Sequence, residues 1–190
     1  MSNATFKPAR LSETVITELM VPAYANFGGK IHGGFILSLM DKVAYVCASK
    51  HANAYCVTAS VDVVDFLQPV EVGELVSLRA MVNYVGNSSM VIGIRVESEN
   101  VKSNSLKHTN TSYFTMVALD DHLKKMTVPG LILETQEQVR RFAEAISRKH
   151  MNKQLKQEMQ QIKKQIELNE VVPMLAHERC QINLPPIGRV

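Results

Sequence analysis

The sequence predicts an α+β fold in which an antiparallel sheet curls around one long apolar helix, with a helical extension behind it. Residues 33–50 carry apolar side chains around nearly the whole helical circumference, which is typical of a buried helix. β-Branched runs separated by glycine and proline turns then continue to residue 119. From residue 134 onward Gln, Lys, Arg and Glu predominate, with apolar residues at helical spacing.

The first elements are a strand, a loop and the apolar helix. Residues 14–21 are rich in Val, Ile and Thr and end at Pro22, so they predict a strand. Residues 23–32 contain a pair of glycines and predict a loop that leads into the helix.

The remaining elements of the domain are strands. They are predicted at residues 58–66, 74–85, 89–97 and 108–119, with a turn at 86–88. One strand, a buried helix and four strands in antiparallel succession describe the hotdog fold.

The C-terminal part predicts a helix over residues 134–170. Its two apolar stripes, Val139/Phe142/Ile146 and Leu155/Met159/Ile162/Ile166, are out of phase, so we expect a break or bend within residues 148–153. Packing on the domain or on a neighbouring subunit is favoured over a membrane or nucleic-acid role. The predicted organisation is a domain at 10–130, a helical extension at 131–170 and an unassigned tail at 171–190.

Composition narrows the classes of function. With 46% hydrophobic and 21% charged residues among 190, the chain is expected to be globular. The net charge of +3 suits a nucleotide-bearing anion, but no nucleic-acid-reading motif is present. Three cysteines without metal-ligand spacing fit a reducing cytoplasm and predict no metal site. We also expect no signal peptide and no membrane span.

Asp41 is the most unusual residue, because it places a carboxylate within the apolar helix. Gly33 and Gly34 at the start of that helix leave amide N–H groups that could polarise a carbonyl. A buried acid downstream of such amides indicates hydrolysis of an activated carbonyl. Pairing of Asp41 with a buried Lys or Arg is an equal alternative on this pattern alone.

The distance between these groups bears on where the site lies. Asp41 follows the glycines by seven to eight residues, which is about 11–12 Å along a straight helix. One carbonyl is therefore not expected to touch both groups of the same helix. Either the preceding loop supplies nearer partners or a second subunit contributes its acid, and we favour the second subunit.

Other polar residues have structural as well as catalytic interpretations. Asn26 could cap a turn, and His32 beside two glycines could fix the loop geometry. Asp62 and Asp65 are expected to face outward from a strand. The motifs of serine-triad hydrolases, P-loop proteins and zinc hydrolases are missing from the sequence.

Taken together, the motifs resemble the acyl-CoA thioesterase family of hotdog enzymes, in the branch of bacterial broad-range and brain-type cytosolic acyl-CoA hydrolases. The resemblance covers about residues 12–147. The segments that carry it are 20–34, 39–44, 57–62, 66–74, 86–90, 108–120 and 128–129.

The resemblance implies hydrolysis of fatty acyl-CoA to free fatty acid and CoA. Asp41 would be the general base or the nucleophile, and Asn26 would position the water or the thioester. The amides near Gly33 and Gly34 would polarise the carbonyl. In this family the Asn and the Asp of one site come from different subunits or repeats.

The resemblance also implies residues that bind the substrate. Thr58 would lie near the reacting centre, and His32 would contact the substrate at the helix start. Gly86, Ser88 and Ser89 would contact the CoA arm.

The family also implies an assembly, at least a homodimer and by analogy a hexamer built as a trimer of dimers. No cofactor is expected, since coenzyme A is part of the substrate and product. Residues 121–127 lack the family's usual glycine, and the tail after Arg148 matches no known pattern.

Two rival functions share the fold. A hydratase or dehydratase would need a catalytic His paired with an acid, for which the sequence shows no clear pattern. A non-catalytic acyl-CoA sensor would be expected to lose the acid and to carry a DNA-binding segment, whereas this chain keeps Asp41.

Overall fold

A computed structural model describes residues 5–166 and 168–183 of the chain. Its main sheet has five antiparallel strands in the order β2-β4-β5-β6-β3. The strands are β2 Thr14–Leu19, β3 Tyr55–Val61, β4 Leu75–Val85, β5 Ser89–Asn100 and β6 Ser105–Leu119. The sheet and the helix before β3 confirm the predicted α+β hotdog fold.

The long helix α1, Gly33–Ala52, packs on one face of this sheet. Its buried residues recur at three- and four-residue intervals, so one side of the helix faces the sheet. They are Ile36, Leu39, Met40, Val43, Ala44, Cys47, Ala48, His51 and Ala52. The helix ends at Asn53, whose φ of 52° is the left-handed conformation that commonly terminates helices.

Strand β3 lies earlier in the chain than predicted. It begins at Tyr55 and ends at Val61, with a register shift between Thr58 and Ser60, whereas the predicted strand covered residues 58–66. Asp62 and Asp65 therefore lie beyond the strand. The valines at 61, 63 and 64 favour a longer strand, but β propensity does not determine where strand pairing ends.

A small second sheet was not predicted. Strands β1 Phe6–Pro8 and β7 Gly130–Ile132 pair in parallel, although they lie far apart in the sequence. Short 3₁₀ helices occupy Ala9–Ser12, Pro22–Tyr24 and Leu175–His177.

The C-terminal extension begins with helix α2, which runs without interruption from Gln136 to Gln165. The prediction was a break or a bend within 148–153, and a break is wrong, because Lys, Gln, Met and Arg are good helix formers and a phase shift of the apolar stripe does not require a broken backbone. Helix α3, Leu168–Met174, follows.

The chain divides into two compact units, one up to Ile146 and the other from Ser147. The predicted extension includes residue 167 and the predicted tail includes 184–190, which lie outside the described residues. Within the described part of the chain, no helix is long and apolar enough to cross a membrane.

Candidate active site

Asp41 and Thr58 meet between helix α1 and strand β3. The Thr58 hydroxyl donates a 2.5 Å hydrogen bond to Oδ1 of Asp41, and it also lies 3.3 Å from the Met116 sulfur. Thr58 pairs with Met116 in the sheet, which fixes the position of the threonine beneath the helix. The bond holds one carboxylate oxygen of Asp41 and leaves the other for a reacting molecule.

Asp41 is exposed in the single chain, so the prediction of a buried acid is wrong for the isolated subunit. The helix buries one side against the sheet, and Asp41 lies on the other side with Lys42, Tyr45 and Val46, which are also exposed. Apolar residues occur on both sides of α1, so the sequence pattern predicts a helix buried all round, although this chain covers only one side.

The start of α1 is shaped by His32. Its Nδ1 accepts a 2.9 Å hydrogen bond from the Gly34 amide, so the imidazole acts as the helix N-cap. The Gly34 amide therefore already has a partner. The ring of Phe66 covers Gly33, where an added Cβ would lie 3.3 Å from the ring. Gly33 is the first residue of the helix, so its amide N–H has no acceptor within the helix, which makes it the better candidate for polarising a carbonyl.

Asn26 shapes the loop before the helix. Its Oδ1 accepts hydrogen bonds from the amides of Gly28 at 2.9 Å and Lys30 at 3.2 Å. This is the turn-capping role that the sequence left open. The side chain is exposed, and the two bonds fix the direction of its amide NH₂, which is a donor suited to a carbonyl or a water.

The loop is attached to the rest of the domain by backbone and ring contacts. The His32 amide donates to the Tyr24 carbonyl at 2.8 Å, and the rings of Tyr24 and Phe35 stack with centroids 3.7 Å apart. The Ile31 amide donates to the Val70 carbonyl at 2.9 Å. These contacts could not be predicted from the sequence, because nothing in the local pattern relates an aromatic loop residue to a helix.

The turn between β4 and β5 holds Gly86, Ser88 and Ser89. The Gly86 amide donates to the Ser89 carbonyl at 2.7 Å, and the Ser88 carbonyl accepts from Ala118 at 3.0 Å. The neighbouring Met90 pairs with Met116, which pairs with Thr58. Two strand spacings, about 10 Å, therefore separate the start of β5 from Thr58. The structure places the turn at the same end of the sheet as Asp41 but not in contact with it.

Strand β3 is an edge of the five-stranded sheet and is lined by exposed apolar residues. Tyr55 is 51% exposed and Val61 45% exposed, and just beyond the strand Val63 is 80% exposed. Tyr45 of α1 meets Tyr55 edge-on with ring centroids 6.2 Å apart. An uncovered edge with such residues is a template for pairing with another chain.

A cavity of about 400 Å³ lies away from Asp41. Residues of β2, β4, β5, β6 and the start of α2 line it, including Arg79, Arg95, Arg140 and Tyr113. Its arginines are paired with glutamates, for example Arg79 and Arg95 with Glu97. The cavity contains none of the predicted site residues, so it gives no support for a catalytic centre within one chain.

The hotdog sheet, the glycine-containing helix start and the exposed carboxylate on the central helix define a hotdog thioester hydrolase as the class of protein. Comparisons with known proteins agree with this class. A family model described as the Thioesterase superfamily matches residues 28–104. The protein VdlD of Helicobacter pylori is 42% identical over 147 residues, which cover 77% of this chain and 84% of that protein.

Solved structures are similar over the same part of the chain. An apo-hexameric acyl-CoA thioesterase matches with a TM-score of 0.77 at 37% identity, covering 79% of this chain and 96% of the other. The acyl-CoA hydrolase of Staphylococcus aureus, in complex with butyryl coenzyme A, coenzyme A and coenzyme A disulfide, matches with a TM-score of 0.76 at 33% identity. That match covers 84% of this chain and 97% of the other.

The Staphylococcus aureus enzyme has also been solved as three alanine variants, which replace an asparagine, an aspartate and a threonine. The asparagine lies 15 positions before the aspartate, and the threonine lies 17 positions after it. This chain belongs to the thioesterase superfamily, in the branch of the acyl-CoA hydrolases, and the predicted family is confirmed.

Proposed function

We propose that this chain hydrolyses fatty acyl-CoA to a free fatty acid and CoA. The observation that carries the proposal is the hydrogen bond from Thr58 to Asp41 on the exposed side of the central helix. Asn26, Asp41 and Thr58 are separated by the same intervals, 15 and 17 positions, as the residues replaced in the Staphylococcus aureus enzyme. A hydratase is not favoured, because Nδ1 of His32 is engaged as a helix cap.

Each group has a role in breaking the thioester bond. The Gly33 amide donates to the carbonyl oxygen, on which negative charge develops. Asp41, oriented by Thr58, either takes a proton from water as water attacks the carbonyl carbon or attacks that carbon itself. When water attacks, the C–S bond breaks and the oxygen of water remains in the fatty acid. When Asp41 attacks, the C–S bond breaks to leave a mixed anhydride on Asp41, which water then hydrolyses to the fatty acid and the free carboxylate. In both routes the thiolate of CoA takes up a proton. These groups and water account for the whole reaction, so we propose that it needs no cofactor.

The site is completed by two subunits in this proposal. Asp41 lies eight residues beyond Gly33 on a continuous helix, which is a rise of about 12 Å. A carbonyl held at Gly33 is therefore beyond the reach of a water on Asp41 of the same chain. A second subunit placed against the exposed side of α1 would bring its own Asp41 to this helix start and cover both groups.

The uncovered edge at β3 supports a homodimer through this side of the molecule. Pairing of two β3 edges would bury Tyr55, Val61 and Tyr45, and it would exclude water from Asp41. By analogy with the hexameric relative we propose a trimer of such dimers. Cys47, Cys56 and Cys180 are all free thiols, which agrees with our expectation of a cytoplasmic protein.

The remaining predicted contacts are with the substrate. The β4–β5 turn, with Gly86, Ser88 and Ser89, would hold the CoA arm about two strand spacings from the reacting carbonyl. His32 would contact the substrate through the side of the imidazole that is not engaged with Gly34.

The proposal is tested by measuring thiol release from acyl-CoAs of graded chain length. Wild type should release CoA, and Asp41→Ala should reduce kcat/KM by on the order of 10²–10⁴-fold, as expected for loss of a general base. Asn26→Ala should also reduce kcat/KM. If wild type released no thiol from any acyl-CoA, the proposed activity would be wrong. If Asp41→Ala kept full activity, the assignment of Asp41 would be wrong.

A further inference from the structure

The second half of helix α2 carries an apolar stripe that its own chain leaves exposed. The stripe consists of Met151, Leu155, Met159, Ile162 and Ile166, and the exposed fractions of these residues lie between 45% and 66%. At about 100° per residue the five side chains fall within an arc of about 80°. Ile166 continues the helical hydrogen bonding, since its amide donates to the Ile162 carbonyl at 3.1 Å. We call these five residues the seam.

The rest of this segment is strongly basic. Residues 147–166 contain six Lys or Arg and a single acid, Glu158. Lys153, Lys156, Lys163 and Lys164 are exposed and project outside the arc of the seam. The segment therefore combines a continuous apolar side with a cationic polar side.

The charge of the segment distinguishes between the partners that could cover the seam. A second copy of the helix would bring the same excess of positive charge to the contact, six Lys or Arg against the single Glu158 at the edge of the seam, so most of the lysines would have no acid to pair with. A surface rich in negative charge would complement the lysines. The four exposed lysines fall within an arc of about 100° on the polar side. A fluid array of anionic groups can meet all four, whereas a protein helix in one register would meet only those that flank the seam.

We propose that residues 147–166 dock on the surface of an anionic lipid bilayer. The helix would lie in the plane of the interface with the seam among the upper acyl chains and the lysines among the headgroups. Long Lys side chains allow this, since their methylene stems pack along apolar surface while the ammonium stays in water. The helix would lie on the bilayer and not cross it, in agreement with its low content of apolar residues.

Vesicle flotation of the full-length protein tests the proposal. Wild type should float with phosphatidylcholine vesicles that contain about a third phosphatidylglycerol and should bind much less to pure phosphatidylcholine, and salt should release it. The seam variant Leu155→Gln/Met159→Gln/Ile162→Gln should bind on the order of 10²-fold more weakly, because three apolar side chains no longer leave water. The charge variant Lys156→Gln/Lys163→Gln/Lys164→Gln should lose a similar factor.

A matched control replaces exposed polar residues outside the seam, Gln157→Ala/Gln160→Ala/Gln161→Ala, and should bind as wild type does. All variants should keep wild-type thermal stability, because the substituted side chains are exposed. The proposal is overturned if wild type does not float with anionic vesicles at low salt, or if the seam variant floats as well as wild type. It is also overturned if the seam variant dissociates into smaller oligomers in light scattering, since the seam would then be a contact between subunits.

Discussion

The hydrogen bond between Thr58 and Asp41 gives the sharpest prediction about the chemistry. Thr58→Val removes the hydroxyl but keeps the β-branched shape that suits strand β3. At 2.5 Å the bond is short, as hydroxyl–carboxylate bonds are, and bonds to charged groups contribute about 1.5–3 kcal/mol. If this energy holds the carboxylate in its reactive orientation, kcat/KM should fall by about 10–100-fold, mainly through kcat.

The chain supplies a matched control for this substitution. Thr17 is an exposed strand threonine whose hydroxyl is hydrogen-bonded to the Ser77 hydroxyl at 2.9 Å, far from the site. Thr17→Val should leave kcat/KM unchanged and change the free energy of unfolding by no more than about 0.5 kcal/mol. Thr58→Val should also lower the free energy of unfolding, by up to about 1.5–3 kcal/mol, so kcat/KM is compared under conditions in which urea titration shows both variants to be folded. Thiol release and urea unfolding measure the two quantities. Equal kcat/KM in Thr58→Val and wild type would refute the proposed role of the bond.

Three further predictions concern the stability of the fold. His51 is 1% exposed, its Nε2 donates to the Pro129 carbonyl, and its buried Nδ1 has no hydrogen-bond partner among the described residues. Burial lowers the pKa of His51 from the ordinary value of 6.5. The free energy of unfolding should therefore fall as pH decreases below 6.5, where the unfolded chain takes up this proton more readily than the folded chain, and His51→Gln should flatten that dependence in urea titrations. Gly93→Ala should lower the free energy of unfolding in urea by about 1–3 kcal/mol, because the new Cβ would collide with the buried Asn83 amide. An unchanged free energy of unfolding would contradict this packing. Lys107→Met should lower the free energy of unfolding by about 2–3 kcal/mol at pH 7, because it leaves the carboxylate of Glu74, which is 3% exposed, without its cation. The loss of stability should be smaller at pH 4, where the Glu74 carboxylate of the variant can take up a proton. A loss that does not depend on pH would contradict the role of this ion pair.

The central architecture could be predicted, because the spacing of apolar residues reflects which side of an element is buried and the turns mark where elements end. The apolar run of α1 and the Gly86 turn between β4 and β5 both lie where the pattern placed them. The β1–β7 pair was missed, since three-residue strands carry no measurable period and their partner lies far away in the chain. The end of β3 was also missed, because it is set by where pairing with β6 stops.

The candidate site was predictable only in part. Asp41 could be identified as a site residue from its apolar surroundings in the sequence. Thr58 was predicted as a site residue only through the family resemblance, because a contact between a helix and a strand 17 positions apart leaves no local signal in the sequence. The exposure of Asp41 could not be predicted from one chain's pattern. Apolar residues on the outer side of α1 look the same in the sequence whether the chain's own core or a partner covers them.

Subunit complementation tests most directly the claim that two chains build each site. Asp41→Ala and Asn26→Ala are prepared separately, then mixed, unfolded and refolded together, and thiol release is compared with that of each variant refolded alone. If Asp41 and Asn26 of one site come from different subunits, half of the dimers are hybrids with one intact site in two, so the mixture should recover about 25% of wild-type activity. Activity no higher than that of the separate variants, in a mixture shown by mass spectrometry to contain hybrids, would contradict the shared site.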